Sequence, residues 1–390
     1  MSDSALPERK IATRAVHGGE VRPGPEGSIV FPIYQGTVYA SANDPNRPEM
    51  SYLRSNNTPS QVYLHEKLAS LEGAEAALAT ASGMAALTTT IAATLESGDH
   101  ILAANDLYGG TFKYLSHQIA RFGLSHSFVD PRNPDSWEAH VTPRTKMFLV
   151  ETIGNPLMRI PELEAVVRFS RERGLTTLID NTFASPVNFR PLDLGFDISF
   201  HSATKYLNGH SDLVAGCILG SAEIIDRVSR VLGEMGAGLD PHAGFLLARG
   251  LKTLVLRVRA QNANGERLAA FLDEQPKVKQ VHYPGLTSHP DHERALSLLS
   301  GFGGMLSFEL DENSAEVTDR VLERLQIAYV APSLGSIETL VSRPAATSHV
   351  ALSAEQRADA GISDGLVRVS CGIEDADDLI ADFEQALEAI

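Results

Sequence analysis

The sequence predicts an α/β fold, with a mostly parallel sheet in a large domain and a smaller α+β domain at the C-terminus. Short, continuously apolar segments alternate with helical segments between about residues 60 and 254, which is typical of parallel strands covered by helices on both faces. Beyond Leu254, the apolar residues of later segments partly alternate, which indicates antiparallel strands with one buried face. We therefore predict an N-terminal arm at 1–58, a large domain at 59–254 and a C-terminal α+β domain at 255–390.

The predicted arm shows no helical periodicity, and it is interrupted by Pro23, Pro25, Pro32, Pro45 and Pro48. A segment of this length without regular structure is uncommon in a compact domain. We expect the arm to contact a partner surface or to serve a function.

Apolar segments mark the strands of the predicted large domain. They are AALAT (76–80), HILAA (100–104), KMFLVE (146–151), TTLID (176–180), DISFHS (197–202) and AGCILG (215–220). Helices are predicted where apolar residues recur at helical spacing before a glycine or after a turn. They cover Leu64 to Leu71 before Gly73, AALTTTIAATL after "SGM", and IPELEAVVRFSRERG.

The C-terminal domain is predicted to begin with a long polar helix from Arg257 to Asp273. Two strands are predicted at GGMLSFEL (303–310) and GLVRVS (365–370). A final helix carries Ile380, Phe383, Leu387 and Ile390 on one face.

Composition and charge exclude several classes of protein. The 390 residues carry a net charge of −16, which argues against general affinity for nucleic acid or for an anionic membrane. Two cysteines, Cys217 and Cys371, make a disulfide scaffold unexpected and favour a reducing compartment. The N-terminus "MSDSALPERK" has no apolar core of a signal peptide, and no apolar run approaches the length of a membrane span. We expect a cytoplasmic protein.

Polar residues follow several of the predicted strands at the point where each strand ends. They are Ser82-Gly83-Met84, Tyr108, Glu151, Asp180 and the stretch from Ser202 to Lys205. Ligands bind at the carboxyl ends of the strands in open parallel sheets, so these residues are expected to converge at one edge. Each one alone has an ordinary explanation, such as a helix cap, a plain turn or packing. Together they indicate a binding site.

The chemistry of these residues favours one cofactor. A desolvated lysine such as Lys205 is a nucleophile toward carbonyl groups, and Asp180 at a neighbouring strand end suits a protonated pyridine nitrogen. A glycine turn that opens a helix at Gly83 offers backbone N–H groups to a phosphate, and Ser202 and Thr204 add hydroxyl donors. The combination predicts pyridoxal 5′-phosphate.

Several motifs, in order along nearly the whole chain, carry a resemblance to a known family. They are SYLRSNNTPS, ALATASGMAAL, LYGGT, ETIGNP, LIDNTFASP, HSATKYLNGHSD, LDPHAGFLLARGLKTL, APSLGSIETL and LVRVSCGIEDADDLIADFEQAL. The chain resembles the cystathionine γ-synthase/γ-lyase family of pyridoxal-phosphate enzymes, also called the Cys/Met-metabolism family. The resemblance implies the fold-type I architecture of pyridoxal-phosphate-dependent transferases.

The resemblance also implies roles for individual residues. Lys205 is expected to form the covalent link to the cofactor and to move protons, and Tyr108 to stack on the ring and act as a general acid. Further cofactor contacts are expected from Tyr52, Arg54, Gly83, Met84, Asp180, Ser202 and Thr204, and substrate contacts from Asn155, Ser333 and Arg368. Without the motif, Arg368 would be taken for a surface arginine on an edge strand. Tyr52 and Arg54 are expected to reach the cofactor of a neighbouring subunit in a homotetramer, a dimer of dimers with shared active sites.

The implied reaction is γ-elimination or γ-replacement on a γ-substituted L-amino acid of the cystathionine type. Alternatives are a γ-lyase for methionine or canavanine, an O-acylhomoserine sulfhydrylase, an aminotransferase, or a non-catalytic binder of the cofactor.

Some positions depart from the family pattern. Asn57-Thr58-Pro59 stands where Asn-Pro-Thr is usual, and Ile153-Gly154 where Pro and Ser or Thr are common. Gly110 takes the place of a cysteine found in many methionine γ-lyases, and Pro332 that of a glutamate found in many cystathionine enzymes.

No metal site is expected. His289 and His292 are spaced loosely like metal ligands, but no other Cys or His cluster joins them, so we expect an exposed loop there.

Overall fold

The computed structural model describes residues 9–40, 51–348, 350 and 353–390. Parts of the predicted arm, including Pro45 and Pro48, therefore lie outside the described residues. By its contacts, the chain divides into two compact units. Unit 1 comprises Met1–Leu95 and Asp197–Leu256, and unit 2 comprises Glu96–Phe196 and Arg257–Ile390. The domain limits predicted from the sequence stay a prediction.

The strands are numbered in chain order from β1 to β12. They are β1 Ala76–Thr80, β2 His100–Ala104, β3 Ser125–Val129, β4 Thr145–Glu151, β5 Thr176–Asp180, β6 Ile198–His201, β7 Gly216–Gly220, β8 Val278–His282, β9 Met305–Leu310, β10 Tyr329–Val330, β11 Leu340–Ser342 and β12 Val367–Ser370.

The helices are numbered in the same way from α1 to α14. They are α1 Ile11–His17, α2 Pro59–Glu72, α3 Gly83–Thr94, α4 Gly109–His117, α5 Leu163–Arg173, α6 Ser185–Asn188, α7 Pro191–Leu194, α8 Ala222–Met235, α9 Pro241–Leu251, α10 Leu254–Asp273, α11 His292–Leu298, α12 Ala315–Leu322, α13 Ala354–Asp359 and α14 Ala376–Leu387.

The large sheet is mostly parallel, as predicted. Within unit 2 the order is β3-β2-β4-β5, and every pairing is parallel. Within unit 1, β7 pairs antiparallel with both β1 and β6. Residues of β2 and β4 are almost all buried, which explains why their sequences are continuously apolar.

The strand β3 is missing from the sequence prediction. It lies at the end of the sheet and its first residue, Ser125, is exposed. An edge strand has only one neighbour and tolerates polar side chains, so "SHSFV" carries no clear apolar pattern.

The second sheet lies in unit 2 and has the order β10-β11-β12-β9-β8. Its pairings are antiparallel except for β10 with β11, which confirms the predicted smaller α+β region. Phe308 of β9, Val369 of β12 and Phe383 of α14 are buried together in its core. The apolar face predicted for the last helix therefore packs on this sheet.

The arm contains a helix that the sequence analysis does not predict. The helix α1 has seven residues, and only Ala15 in it is buried. The buried Lys67 of α2 donates hydrogen bonds to the carbonyl oxygens of Ala15 (3.1 Å) and Val16 (3.0 Å). These contacts satisfy carbonyl groups near the end of α1, so tertiary packing supports a helix too short to show its own periodicity.

Among the described residues, no helix combines the length and the apolar character needed to cross a membrane.

Candidate active site

The start of α3 presents backbone amides at the end of a buried strand. Ser82 caps the helix, and its hydroxyl accepts a hydrogen bond from the Ala85 amide at 3.0 Å. The Ala86 amide donates to the Ser82 carbonyl oxygen at 3.0 Å. The first-turn amides of Gly83 and Met84 are therefore the ones left to donate to a ligand, where the helix dipole favours negative charge.

Gly83 lies against Ser202 so closely that no side chain fits between them. A Cβ atom on Gly83 would lie 2.8 Å from the Cα and Cβ atoms of Ser202 and 3.1 Å from its hydroxyl oxygen. Glycine is therefore required for this approach. The structure thus brings together the Gly83 amide and the Ser202 hydroxyl, two groups that the sequence analysis expected at a phosphate.

Lys205 follows β6 in a tight turn. Its amide donates to the Ser202 carbonyl oxygen at 3.1 Å, and the Gly209 amide donates to the Lys205 carbonyl oxygen at 2.7 Å. Lys205 is half-buried. The turn thus holds Lys205 and Ser202 within one short hydrogen-bonded segment.

Thr204 uses its hydroxyl inside the protein. The hydroxyl donates to the Ala215 carbonyl oxygen at 3.1 Å and accepts from the Ala215 amide at 3.0 Å. It would have to turn away from that carbonyl to donate to a phosphate.

Tyr52 and Arg54 lie in a short turn before α2. The Tyr52 amide donates to the side chain of Asn57 at 2.9 Å. The exposed Arg54 guanidinium lies 5.4 Å from the Tyr52 ring centroid and donates to the Gly233 carbonyl oxygen.

The unusual Asn57-Thr58-Pro59 order is explained by the start of α2. Thr58 is the N-cap and forms a capping box with Gln61, and Pro59 occupies the first turn, where its missing N–H group is not needed.

In unit 2, Tyr108 and Asp180 are linked to a buried acid, Glu151, which was expected at the same sheet edge but was given no role from the sequence. Glu151 accepts a hydrogen bond from the Tyr108 amide and pairs with Asp180 in the β4–β5 register. Burial and the negative charge of Asp180 raise the pKa of Glu151 well above its ordinary value. Asp180 itself accepts from the Thr182 amide at 2.9 Å and from its hydroxyl.

The three residues expected to contact substrate come together in unit 2. One guanidinium nitrogen of Arg368 donates to the Asn155 side-chain oxygen at 3.1 Å, and another donates to the Ser333 carbonyl oxygen at 3.1 Å. Arg368 is buried, because β12 lies between β9 and β11 in the second sheet. Sequence alone could not separate this position from an edge strand.

Ser333 has a φ of 95°, an unfavourable conformation for a residue with a side chain. This conformation accompanies the contact of its carbonyl oxygen with Arg368. The main chain of Ser333, rather than its hydroxyl, makes that contact.

His289 is buried, so the expected exposed loop is wrong at this position. One of its ring nitrogens lies 3.4 Å from the Leu157 carbonyl oxygen, and burial lowers its pKa to about 4. A neutral buried histidine that bonds to the main chain is a packing residue. Among the described residues, no group of three or more His, Cys, Asp or Glu could hold a metal ion.

The arrangement fits pyridoxal 5′-phosphate. The free amides of Gly83 and Met84 at the start of α3, together with the Ser202 hydroxyl that Gly83 allows to lie close by, suit a phosphate. Lys205, which carries the amine, lies in the same hydrogen-bonded turn as Ser202.

Comparisons with known proteins agree with this fit. The chain matches the family of Cys/Met metabolism PLP-dependent enzymes over residues 12–388. It is 42% identical to L-methionine gamma-lyase of Pseudomonas putida over 97% of both chains. It is 40% identical to cystathionine gamma-lyase of Bacillus subtilis, over 98% of this chain and 100% of that protein.

A solved structure is also similar. The crystal structure of cystathionine gamma synthase from Xanthomonas oryzae pv. oryzae in complex with aminoacrylate and cysteine superposes with a TM-score of 0.94. It is 37% identical and covers 98% of this chain and 99% of that chain. The fold and the candidate site thus define a pyridoxal-phosphate-dependent enzyme. The chain belongs to the Cys/Met metabolism family of these enzymes, and pyridoxal 5′-phosphate is its cofactor.

Proposed function

We propose that this enzyme catalyses γ-elimination or γ-replacement on a γ-substituted L-amino acid, in the manner of cystathionine γ-lyase or γ-synthase. The observation that carries the proposal is the group of Arg368, Asn155 and Ser333. It holds a buried guanidinium between two neutral oxygen acceptors. A buried arginine with this geometry suits the α-carboxylate of an amino acid, because guanidinium binds carboxylate in a bidentate fork.

Each residue has a role that its chemistry supports. Arg368 binds the substrate carboxylate, and Asn155 fixes the orientation of the guanidinium. The Lys205 amine accepts the proton from the α-carbon, and it must release that proton to another acceptor before it can take one from the β-carbon. Tyr108 donates a proton to the γ-substituent as it departs. Pyridoxal 5′-phosphate, when bound, supplies the electron-accepting ring that stabilises negative charge at the α-carbon.

Further residues hold the cofactor in this proposal. Gly83, Met84, Ser202 and Thr204 bind its phosphate, and Asp180 pairs with its ring nitrogen. Because Glu151 bonds to the Tyr108 amide and adjoins Asp180, it positions both residues without touching substrate.

Methionine γ-lyase activity is a second candidate, supported by the 42% identity to the Pseudomonas putida enzyme. The local structure favours the cystathionine type. A Cβ atom on Gly110 would lie 2.4 Å from a ring carbon of Tyr108, so this Tyr108 position leaves no room for the cysteine of many methionine γ-lyases. Pro332 offers no charge to the distal ammonium of cystathionine, so another acid must supply it.

A substrate panel tests the proposal. Purified holoenzyme is incubated separately with cystathionine, methionine, canavanine, and O-acylhomoserine plus cysteine. Release of 2-oxobutanoate indicates elimination, and thioether formation indicates replacement. We expect turnover of cystathionine or O-acylhomoserine to exceed that of methionine at least tenfold. Equal or faster turnover of methionine would favour the second candidate, and no turnover of any compound would refute the proposed function.

We also propose a homotetramer in which Tyr52 and Arg54 complete the site of a neighbouring subunit, which the exposure of Arg54 allows. Mixing two inactive variants tests this assembly. If Arg54→Ala and Lys205→Ala chains are refolded together, mixed dimers contain one site with both native residues, and activity should return. No recovery, with mixed oligomers verified by mass, would argue against shared sites. The cytoplasmic location stays a prediction.

A further inference from the structure

Unit 2 contains a cavity of about 440 Å³ that the proposed roles do not use. Its volume lies within the range of small-molecule sites, roughly 300–1,000 Å³. The stacked rings of Phe112 and Phe128, with centroids 4.7 Å apart, form part of an apolar wall. Gly109, next to Tyr108, and Asn155, which bonds to Arg368, also line the cavity. The cavity therefore adjoins the residues proposed to hold the substrate.

Asp106, an acid in the cavity wall, has a side chain without a hydrogen-bond partner in the part of the chain that the structure describes. Both carboxylate oxygens of Asp106 are buried, and neither has a hydrogen-bond partner among the described residues. A Cβ atom on Gly154 would lie 2.3 Å from one of these oxygens, so glycine makes room for the carboxylate. A buried, unpartnered carboxylate is costly in a protein interior, which is reason to expect that a cationic ligand pairs with it.

Two arginines line the same cavity. Arg132 forms a bidentate pair with Asp130, with N–O distances of 2.8 Å and 3.1 Å, so its charge is already compensated. The buried Nε atom of Arg159 has no partner among the described residues. Burial raises the pKa of the Asp106 carboxyl, and the attractions of Arg132 and, more weakly, of Arg159 do not offset that effect.

The cavity thus offers a carboxylate and a guanidinium close to each other beside an apolar wall. We infer that it binds a second amino acid, the thiol-bearing one that leaves or attacks at the γ-carbon, through its ammonium at Asp106 and its carboxylate at Arg159. This inference rests on the proposed γ-elimination or γ-replacement. It also identifies an acid for the distal ammonium, which Pro332 cannot bind.

Three thiols allow the proposed contact at Asp106 to be tested independently of the proposed contact at Arg159. L-cysteine has both charged groups, cysteamine has only the ammonium, and 3-mercaptopropionate has only the carboxylate. KM for each thiol is measured in thioether formation from O-acylhomoserine, or the inhibition constant is measured if the enzyme only eliminates. Asp106→Asn should raise the constant for L-cysteine and cysteamine about 10- to 100-fold, the effect of losing a charged hydrogen bond, and leave 3-mercaptopropionate unchanged.

Arg159→Gln should give the complementary pattern, with weaker binding of L-cysteine and 3-mercaptopropionate and unchanged cysteamine. The exposed residues Asp311 and Arg121 provide matched controls, Asp311→Asn and Arg121→Gln, which should change none of the constants. Constants that stay the same in both cavity variants, or that rise equally for all three thiols, would overturn the inference while elimination itself persists.

Calorimetry of the holoenzyme with L-serine, which has the same charged groups but no thiol, provides a readout without turnover. We expect two binding sites per chain in the native enzyme and one in Asp106→Asn and Arg159→Gln. One site per chain in all three proteins would overturn the inference. Loss of all turnover with two sites retained would instead refute the proposed function alone.

Discussion

Asp106→Asn should make the folded protein more stable at neutral and alkaline pH, although it removes a charged group. Burial raises the pKa of the Asp106 carboxyl to about 6, from an ordinary value of 3.8, against the attraction of Arg132 and Arg159. Asparagine has nearly the same shape and carries no charge. The native enzyme therefore keeps an ionised group where the fold disfavours it, as binding sites often do.

The magnitude follows from the two pKa values. Each pKa unit corresponds to ~1.4 kcal/mol, so the range from 3.8 to about 6 corresponds to about 3 kcal/mol. Because the folded-state pKa is raised, the stability contributed by Asp106 is fully present below about pH 3.8 and is lost as the pH rises through about 6. The variant should thus be more stable by about 3 kcal/mol at pH 8 and by less than about 1 kcal/mol at pH 4.

Urea unfolding of the cofactor-saturated protein at several pH values measures this difference. Native enzyme, Asp106→Asn and the exposed control Asp311→Asn are compared at one protein concentration, since oligomers unfold in a concentration-dependent way. The variant midpoint should exceed the native midpoint at pH 8 and approach it at pH 4, while the control follows the native enzyme. A variant that is less stable at pH 8, or a difference independent of pH, would refute the argument from burial.

Three further substitutions test the site. Gly83→Ala places its Cβ atom 2.8 Å from the Cα atom of Ser202, so it should weaken cofactor retention at least tenfold. Retention is measured by cofactor absorbance after dialysis. Unchanged retention would show that this contact does not shape the phosphate site. Arg368→Lys loses the bidentate fork and should raise KM for the amino-acid substrate at least tenfold with a smaller change in kcat, and an unaffected KM would remove Arg368 from the carboxylate site. Gly110→Cys meets the Tyr108 ring at 2.4 Å and should lower kcat at least tenfold without loss of the cofactor spectrum, whereas full activity would show that Tyr108 can move aside.

Much of the fold could be predicted from the sequence, because local residue preferences and tertiary packing favour the same helices and strands. Gly73 and Gly174 were expected to end helices, and both adopt the left-handed conformation at a helix C-terminus. The strands β2 and β4 are apolar throughout, because helices cover both faces of a parallel sheet. The strand β3 is less completely buried, so its sequence has no apolar pattern from which a strand could be predicted. The helix α1 is supported by hydrogen bonds from the distant Lys67, so its own sequence does not predict a helix.

The sequence by itself determined the chemical character of this protein. Lys205, Asp180 and a glycine turn at Gly83 are sufficient to indicate the cofactor, because few ligands need an amine, an acid and a phosphate cradle together. Only the tertiary structure decided which groups are already engaged, such as the Thr204 hydroxyl, and that the Asp106 carboxylate is buried without a hydrogen-bond partner among the described residues. Asp106 and Gly154 lie 48 positions apart in the chain, and their contact depends on the approach of two loops. No periodicity or motif records such a contact, since it arises from the packing of the folded chain.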